Sequence, residues 1–189
     1  MQTYAWYDQN GDVLLIGDCE PGAEHTMPGD YAGVVQVHGN RPTPDDVYVD
    51  GGSLRQKPVR PSPFHAWRNK CWVPELDKAK AARRKEINAA RDLAKSSVFA
   101  FAGKTFDADP ASISSLMLAV QAGVPVVWRC ADNSDLALTS DMLAAIPAAI
   151  ASHNQSQHDK AVMLKRHIDG ADTIEQVLQV SGNVLYSAQ

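Results

Sequence analysis

Proline and glycine are distributed so unevenly along this chain that its two parts cannot share one architecture. Eight of the eleven prolines and eight of the twelve glycines lie within the first 74 of the 189 residues. Proline fixes φ and lacks an N–H, and glycine admits positive φ, so together they cut a chain into short pieces. No long helix fits there. Beyond Pro74 both become sparse, and Ala, Leu, Lys, Arg and Glu, which favour helices, take over. The expected fold class is α+β: a small turn-rich β region at the N-terminus, then a long helix and a small, mostly helical domain with two short β-hairpins. The expected boundaries are a β-rich region over 1–56, a proline-rich linker with a tryptophan hairpin over 57–74, and a helical α+β domain over 75–189.

Within the first part, residues 4–7 and 13–16 read as strands separated by a turn containing Asn10-Gly11, a hairpin signal because both turn positions favour positive φ. Residues 31–37 form a further strand candidate. Asp50-Gly51-Gly52 separates two more strand-like runs, and Arg68-Asn69-Lys70 separates Ala66-Trp67 from Cys71-Trp72-Val73. Pro42-Thr43-Pro44 is a rigid elbow. The run holding Pro58, Pro61 and Pro63 is expected to be extended and outside any sheet interior. It reads as a stiff spacer or as a peptide docked along a partner.

In the second part, Pro74, Glu75 and Asp77 open a helix that runs to about Lys95, with negative charge near its N-terminus. Its apolar stripe is narrow: Leu76, Ala79, Ile87, Ala90 and Ala94. Such a stripe fits a surface helix lying across a small domain, or a helix that pairs with copies of itself. The basic residues Lys78, Lys80, Arg83, Arg84 and Lys85 alternate with acidic ones and read as a solvated face. Phe99 to Phe106 around Gly103 forms a hairpin signal. Asp109 caps a helix that starts at Pro110 and stops at Gly123. A strand over 124–129 and its return over 136–138 follow, and Thr139 caps the next helix. The polar run 152–159 interrupts the stripe Leu143, Ile146, Ile150, which resumes at Ala161, Leu164 and Ile168. If that helix is continuous, Asn154 and Gln157 fall on its seam. Gly170 ends it, Asp172-Thr173 caps a short last helix, and residues 181–189 read as a peripheral strand or frayed end.

Composition excludes several function classes. A net charge of −4 without a clustered basic excess argues against a nucleic-acid surface. Cys19, Cys71 and Cys130 are odd in number and far apart, so neither a disulfide framework nor a Cys-x-x-Cys pair is expected. No basic start leads into an apolar run, so no secretory leader is expected, and no apolar run approaches the ~20 residues of a membrane span. Asp107 and Asp109 form a carboxylate pair, but Asp109 already reads as a cap. Asp132-Asn133-Ser134-Asp135 lacks the twelve-residue spacing of a calcium loop and reads as a turn. His153 and His158 are five apart, off the i, i+4 spacing of a helical metal pair. Gly103-Lys104-Thr105 ends like a phosphate loop but has Val98 where the upstream glycine belongs. No catalytic residue, cofactor or metal is expected, and the chain is not expected to be an enzyme.

Several segments, taken in order, carry a resemblance: residues 83–91, Phe99-Ala100-Phe101 with Gly103, residues 106–109 with Ser112-Ile113, Trp128-Arg129 with Asp132-Asn133, Leu138-Thr139, and Leu164-Lys165 with Ile168 and Thr173. The ordered set resembles a phage-tail-associated domain of unknown function found at the C-terminus of bacteriophage tail proteins, over residues 75–180. Residues 48–52, and 60–63 up to Trp72-Val73, are similar to the linker that precedes that domain. That family offers no catalytic residues to carry over. The resemblance implies a structural part of a fibre or baseplate, or an adaptor, whose partners are other phage tail proteins. It implies location in the virion, with host cytoplasm as the place of assembly; the charge balance and the lack of a long apolar run argue against nucleic-acid binding and membrane insertion. A homo-oligomer, such as a trimer in the manner of fibres, would let narrow Ala-rich helices bury one another. The alternatives are a tail-fibre assembly chaperone and, less favoured, a glycan-acting hydrolase using Asp107 or Asp132. The candidate partner surface comprises Leu76, Ile87, Ala90 and Ala94 on the helix, Pro58, Pro61 and Pro63 on the linker, and Trp67 and Trp72 on the hairpin.

Overall fold

The computed structural model describes residues 1–26 and 29–181 and divides the chain into two units, Met1–Glu75 and Leu76–Gln189. The fold is α+β, with short antiparallel strands throughout the first unit and four α-helices in the second.

The first unit is organised around β1 (Gln2–Tyr7), the middle strand of a three-stranded antiparallel sheet with β2 (Val13–Cys19) and β3 (Gly33–Gln36). Side chains alternate across a strand, and both faces of β1 are covered. Ala5 points into a cluster with Val13, Ile16, Val37, Val47 and Val49. Trp6, on the other face, is 1% exposed, and its indole N–H donates to the Glu24 carbonyl at 2.8 Å. The β1–β2 connection is wider than the expected two-residue turn. Asn10 does not share the positive φ of Gly11; instead Asp8 Oδ1 accepts from the backbone N–H groups of Asn10 and Asp12 at 2.8 and 2.9 Å. Gly11 answers two demands at once. Its φ is +84°, and a Cβ there would lie 2.2 Å from the Val49 carbonyl oxygen. Val49 belongs to β4 (Val47–Asp50), which pairs with β5 (Ser53–Gln56). The last hairpin of this unit is β6 (His65–Arg68) with β7 (Cys71–Pro74). Its turn residues Asn69 and Lys70 both have positive φ, 50° and 61°, the geometry that matches the twist of the flanking strands. Pro74 is the last residue of β7 and not the helix opener.

In the second unit, α1 (Leu76–Lys95) packs on α3 (Ser140–Asp169) and α4 (Ile174–Gln179). Two hairpins, β8 (Val98–Phe101) with β9 (Lys104–Asp107) and β10 (Val126–Arg129) with β11 (Asp135–Leu138), flank α2 (Pro110–Ala122) in the sequence. Phe99, Phe106, Leu116, Leu138, Leu143 and Ile146 from these elements make one core. The expected caps hold. Asp109 accepts from Ala111 and Ser112, Thr139 Oγ1 accepts from Met142, and Thr173 and Gln176 form a reciprocal capping box. Gly123 ends α2 in the left-handed conformation, whereas Gly170 ends α3 with φ −79°. α3 is continuous through the polar run, and Gln157, 8% exposed, does sit on its buried seam. The strand or frayed end expected over 181–189 lies, apart from Ser181, outside the described residues.

Ile87 on α1 has no exposed surface and Leu93 is 57% exposed. Removing buried methylenes costs transfer free energy plus a cavity. Ile87→Ala is expected to lower unfolding free energy by about 2–4 kcal/mol, and Leu93→Ala to change it by about 0.5 kcal/mol or less. Urea titration followed by far-ultraviolet circular dichroism distinguishes the two.

Candidate functional site

The most elaborated surface in the first unit is built on the β6–β7 hairpin. Trp67 and Trp72 are direct cross-strand partners, so their side chains share one face. Their rings meet edge to face, centroids 5.2 Å apart, and Tyr48 of β4 packs on Trp67 at 5.1 Å. Such aromatic pairs add about 0.5–1.5 kcal/mol beyond their area burial. Asp50 of β4 accepts from Lys70 in the hairpin turn at 2.5 Å. That bond from Lys70 is the main reason the Asp50 carboxyl titrates below the usual range.

The proline-rich run is held against this hairpin as a strap. Trp72 Nε1 donates to the Pro58 carbonyl at 2.7 Å. The Arg60 guanidinium donates to the His65 carbonyl at 2.6 and 2.9 Å and to the Pro63 carbonyl at 2.8 Å. Ser62 Oγ lies 2.8 Å from His65 Nδ1. Two cations rest over the indoles: Lys57 Nζ is 5.2 Å from the Trp67 ring centre and Arg60 Cζ is 5.5 Å from that of Trp72. Each such contact is worth roughly 0.5–1 kcal/mol at an exposed site. A cleft of about 600 Å³ runs here, lined by Asp45, Gln56, Lys57, Arg60, Trp67 and Trp72 among others. The N–H of Trp67 is buried with no acceptor among the described residues. Pro58, Pro61 and Pro63 face solvent, and Val59 between them is 92% exposed.

The helical part of the candidate surface is placed differently. Ile87, Ala90 and Ala94 are buried inside the second unit, where α1 meets α3 and α4. Leu76 is half-buried at the start of the helix. Of the two readings of the narrow stripe, the helix lying across its own domain is the one observed. Ile87, Ala90 and Ala94 are covered by the chain itself, and Leu76 only in part. The basic face is not simply solvated either. Arg84 donates to Asp169 at 2.5 and 2.9 Å, Lys80 to the Asp169 carbonyl at 2.9 Å, and Arg83 to the Leu178 carbonyl at 2.6 Å. Those carbonyls lie at the C-terminal ends of α3 and α4, where cations complement the dipole.

The carboxylates weighed for chemistry have structural partners or stand apart. Asp109 is held low by the Ser112 hydroxyl and by the backbone N–H groups it caps. Asp107 is exposed at the end of β9. Asp132 closes the β10–β11 turn: its Oδ1 accepts from the Ser134 hydroxyl and N–H at 2.5 and 2.9 Å. Lys104, in the neighbouring hairpin, donates to Ser134 Oγ at 2.8 Å and to Asp132 Oδ2 at 3.3 Å. The Ser134 hydroxyl, with help from Lys104, lowers the Asp132 carboxyl to about 2. This link between two hairpin tips joins residues about thirty positions apart, and no local signal in the sequence marks it. Cys130 is buried beside that turn, Cys71 is exposed, and burial pushes up the half-buried Cys19 thiol. Among the described residues no three His, Cys, Asp or Glu side chains are grouped to hold a metal, and no helix is long and apolar enough to cross a membrane.

A family model described as a domain of unknown function (DUF4376) matches residues 78–181. No curated protein and no solved structure matches the chain.

Two consequences are measurable. A carboxyl whose folded pKa is depressed contributes stability above its unfolded value, and loses it as pH falls through the folded one. For Asp132 that window runs from about 4 down to about 2. Carboxyl carbon titration by NMR is expected to give a midpoint near 2 for Asp132 and an upward move in Ser134→Ala. On the hairpin, Trp72→Phe keeps an aromatic ring, smaller than the indole, but removes the bond to Pro58. Limited proteolysis is expected to cut near Val59 faster in that variant, with the rest of the digestion pattern unchanged.

Proposed function

We propose that this chain, which belongs to the DUF4376 family of domains of unknown function, is a structural, non-enzymatic component of a bacteriophage tail. It is a fibre- or baseplate-associated or adaptor subunit that works through protein–protein interfaces. It is assembled in the host cytoplasm and then carried in the virion. The proposal starts from the ordered resemblance of residues 75–180 to a phage-tail-associated domain.

One observation supports an interface role most directly. The first unit displays half-buried indoles, a rigid strap with exposed Pro58, Pro61 and Pro63, and a guanidinium stacked on a ring, all on one hairpin. Trp, Tyr and Arg are the residues most enriched at binding hot spots. Prolines keep the strap extended at low entropic cost on association. The surface on which a tail partner sits is therefore the strap and hairpin, not the helix stripe.

Mass spectrometry of purified particles tests the role, and a Trp67→Ala, Trp72→Ala variant tests the surface. The expected result is a chain retained in wild-type particles and at least about tenfold depleted with the double variant, which corresponds to one hot spot lost. Presence in lysate in a soluble complex with a fibre protein, but absence from particles, would instead identify an assembly chaperone.

A further inference from the structure

We infer that the cleft beside the strap and the β6–β7 hairpin receives a carboxylate-bearing segment of the partner protein, held by Lys57 and Arg60. The inference rests on the reading of this surface as a protein interface and adds the chemistry of the partner.

Charge is segregated along the first unit. Residues 1–50 hold nine acidic residues and one cation, Arg41. Residues 51–74 hold five cations, Arg55, Lys57, Arg60, Arg68 and Lys70, and no acidic residue. Three of the five are answered within the chain. Lys70 and Arg55 meet Asp50 at 2.5 and 3.5 Å, and Arg68 meets Glu75 at 3.1 Å. Lys57 and Arg60 have no carboxylate partner among the described residues. Both line the same cleft, each against an indole.

Arg60 is also held ready. Its Nε and Nη2 are committed to the carbonyls of His65 and Pro63, while Nη1 donates to no described residue. A guanidinium fixed in this way loses little rotamer freedom when Nη1 meets an acceptor. A carboxylate answers both the open donor and the charge. Lys57 is anchored through its backbone N–H, which donates to the Asp46 carbonyl at 2.7 Å.

The other charges of the cleft narrow the occupant. Asp45 and Asp46 line it too, both exposed, and Asp46 accepts from Thr43 Oγ1 at 2.6 Å. A nucleic-acid strand, negative along its whole length, would meet these carboxylates as well as the cations. Its bases would also find a cation already over each indole, where single-strand binders keep aromatic faces open for stacking. A protein segment carries discrete carboxylates between neutral or basic residues, and so suits both signs at once.

Titration of the isolated full chain with capped glycine–serine decapeptides tests this, read by NMR at the Trp67 and Trp72 indole N–H and the Arg60 Nε–H. The peptides differ only at two central positions, which are both Glu, both Gln or both Lys. The Glu peptide is expected to bind at least about fivefold more tightly than the Gln peptide, as two exposed ion pairs allow, and the Lys peptide least. Lys57→Gln leaves the hydrogen bonds of the strap in place and is expected to reduce that preference at least about twofold. Lys85→Gln, the same charge change on exposed α1 surface, is expected to leave it unchanged. The inference is overturned by equal binding of the Glu and Gln peptides, by no binding at all, or by tighter binding of a ten-residue thymidine oligonucleotide. A preference that Lys57→Gln does not reduce, or that Lys85→Gln reduces equally, also overturns it. Should Lys57→Gln unfold the chain, the wild-type ranking decides alone: Glu first supports the inference, and any other order overturns it. Mass spectrometry of particles reads the tail role separately. A chain absent from particles that still prefers the Glu peptide loses that role and keeps the acidic partner, and a chain retained in particles without the preference does the reverse.

Discussion

A two-stranded hairpin left alone in water is marginally stable at best, and four of the five sheets among the described residues are hairpins of that kind. Each must lean on something else, and what it leans on sets the architecture. β8–β9 puts Phe99 and Phe106 into the core under α3. β10–β11 contributes Leu138 to the same core and packs Trp128 and Leu136 against it. β4–β5 completes the cluster around Ala5. β6–β7 has the least buried support of the four, and Trp67, Trp72, Tyr48 and the strap take the place of a core. The same constraint explains why open edges and half-covered aromatics remain on this chain. A larger sheet would have satisfied them internally.

Much of this was legible in the sequence because it is local. The Asp109-Pro110 helix start, the Gly123 stop and the Thr173 cap depend on residues within four positions of one another, and side-chain chemistry at that range is nearly decisive. The proline–glycine asymmetry likewise marked where hairpins give way to helices. Local signals misled where tertiary contact competed. Asn10-Gly11 reads as a tight turn, but Asp8 offers its carboxylate to the loop and Val49 needs the space beside Gly11. Pro74 reads as a helix opener, but pairing with His65 holds it in β7.

The candidate surface divides along the same line. Trp67 and Trp72 share one hairpin face because the turn is Asn69-Lys70 alone and not the three residues expected, which pairs Arg68 with Cys71 and Trp67 with Trp72. The strap lying back on them was not legible either, because it depends on Trp72 reaching Pro58 and Arg60 reaching His65. Ile87, Ala90 and Ala94 could have faced a partner or the interior, since a narrow stripe serves both. Burial under α3 and α4 decides between them, with Arg83, Arg84 and Lys80 latched onto the ends of those helices. The proposed interface therefore lies on the strap and hairpin, which hold five of the nine candidates, and not on the helix, which holds four.

The proposal most worth testing is that this hairpin and strap meet a different protein of the virion. Lys57 sits over Trp67 and Lys70 closes the hairpin turn, so both amines report on that surface directly. Amine cross-linking of intact particles, read by mass spectrometry, is the most direct measurement. The account expects links from Lys57 or Lys70 to a different virion protein. Particles that contain the chain, yet link it to other proteins through residues 76–181 alone, would contradict it.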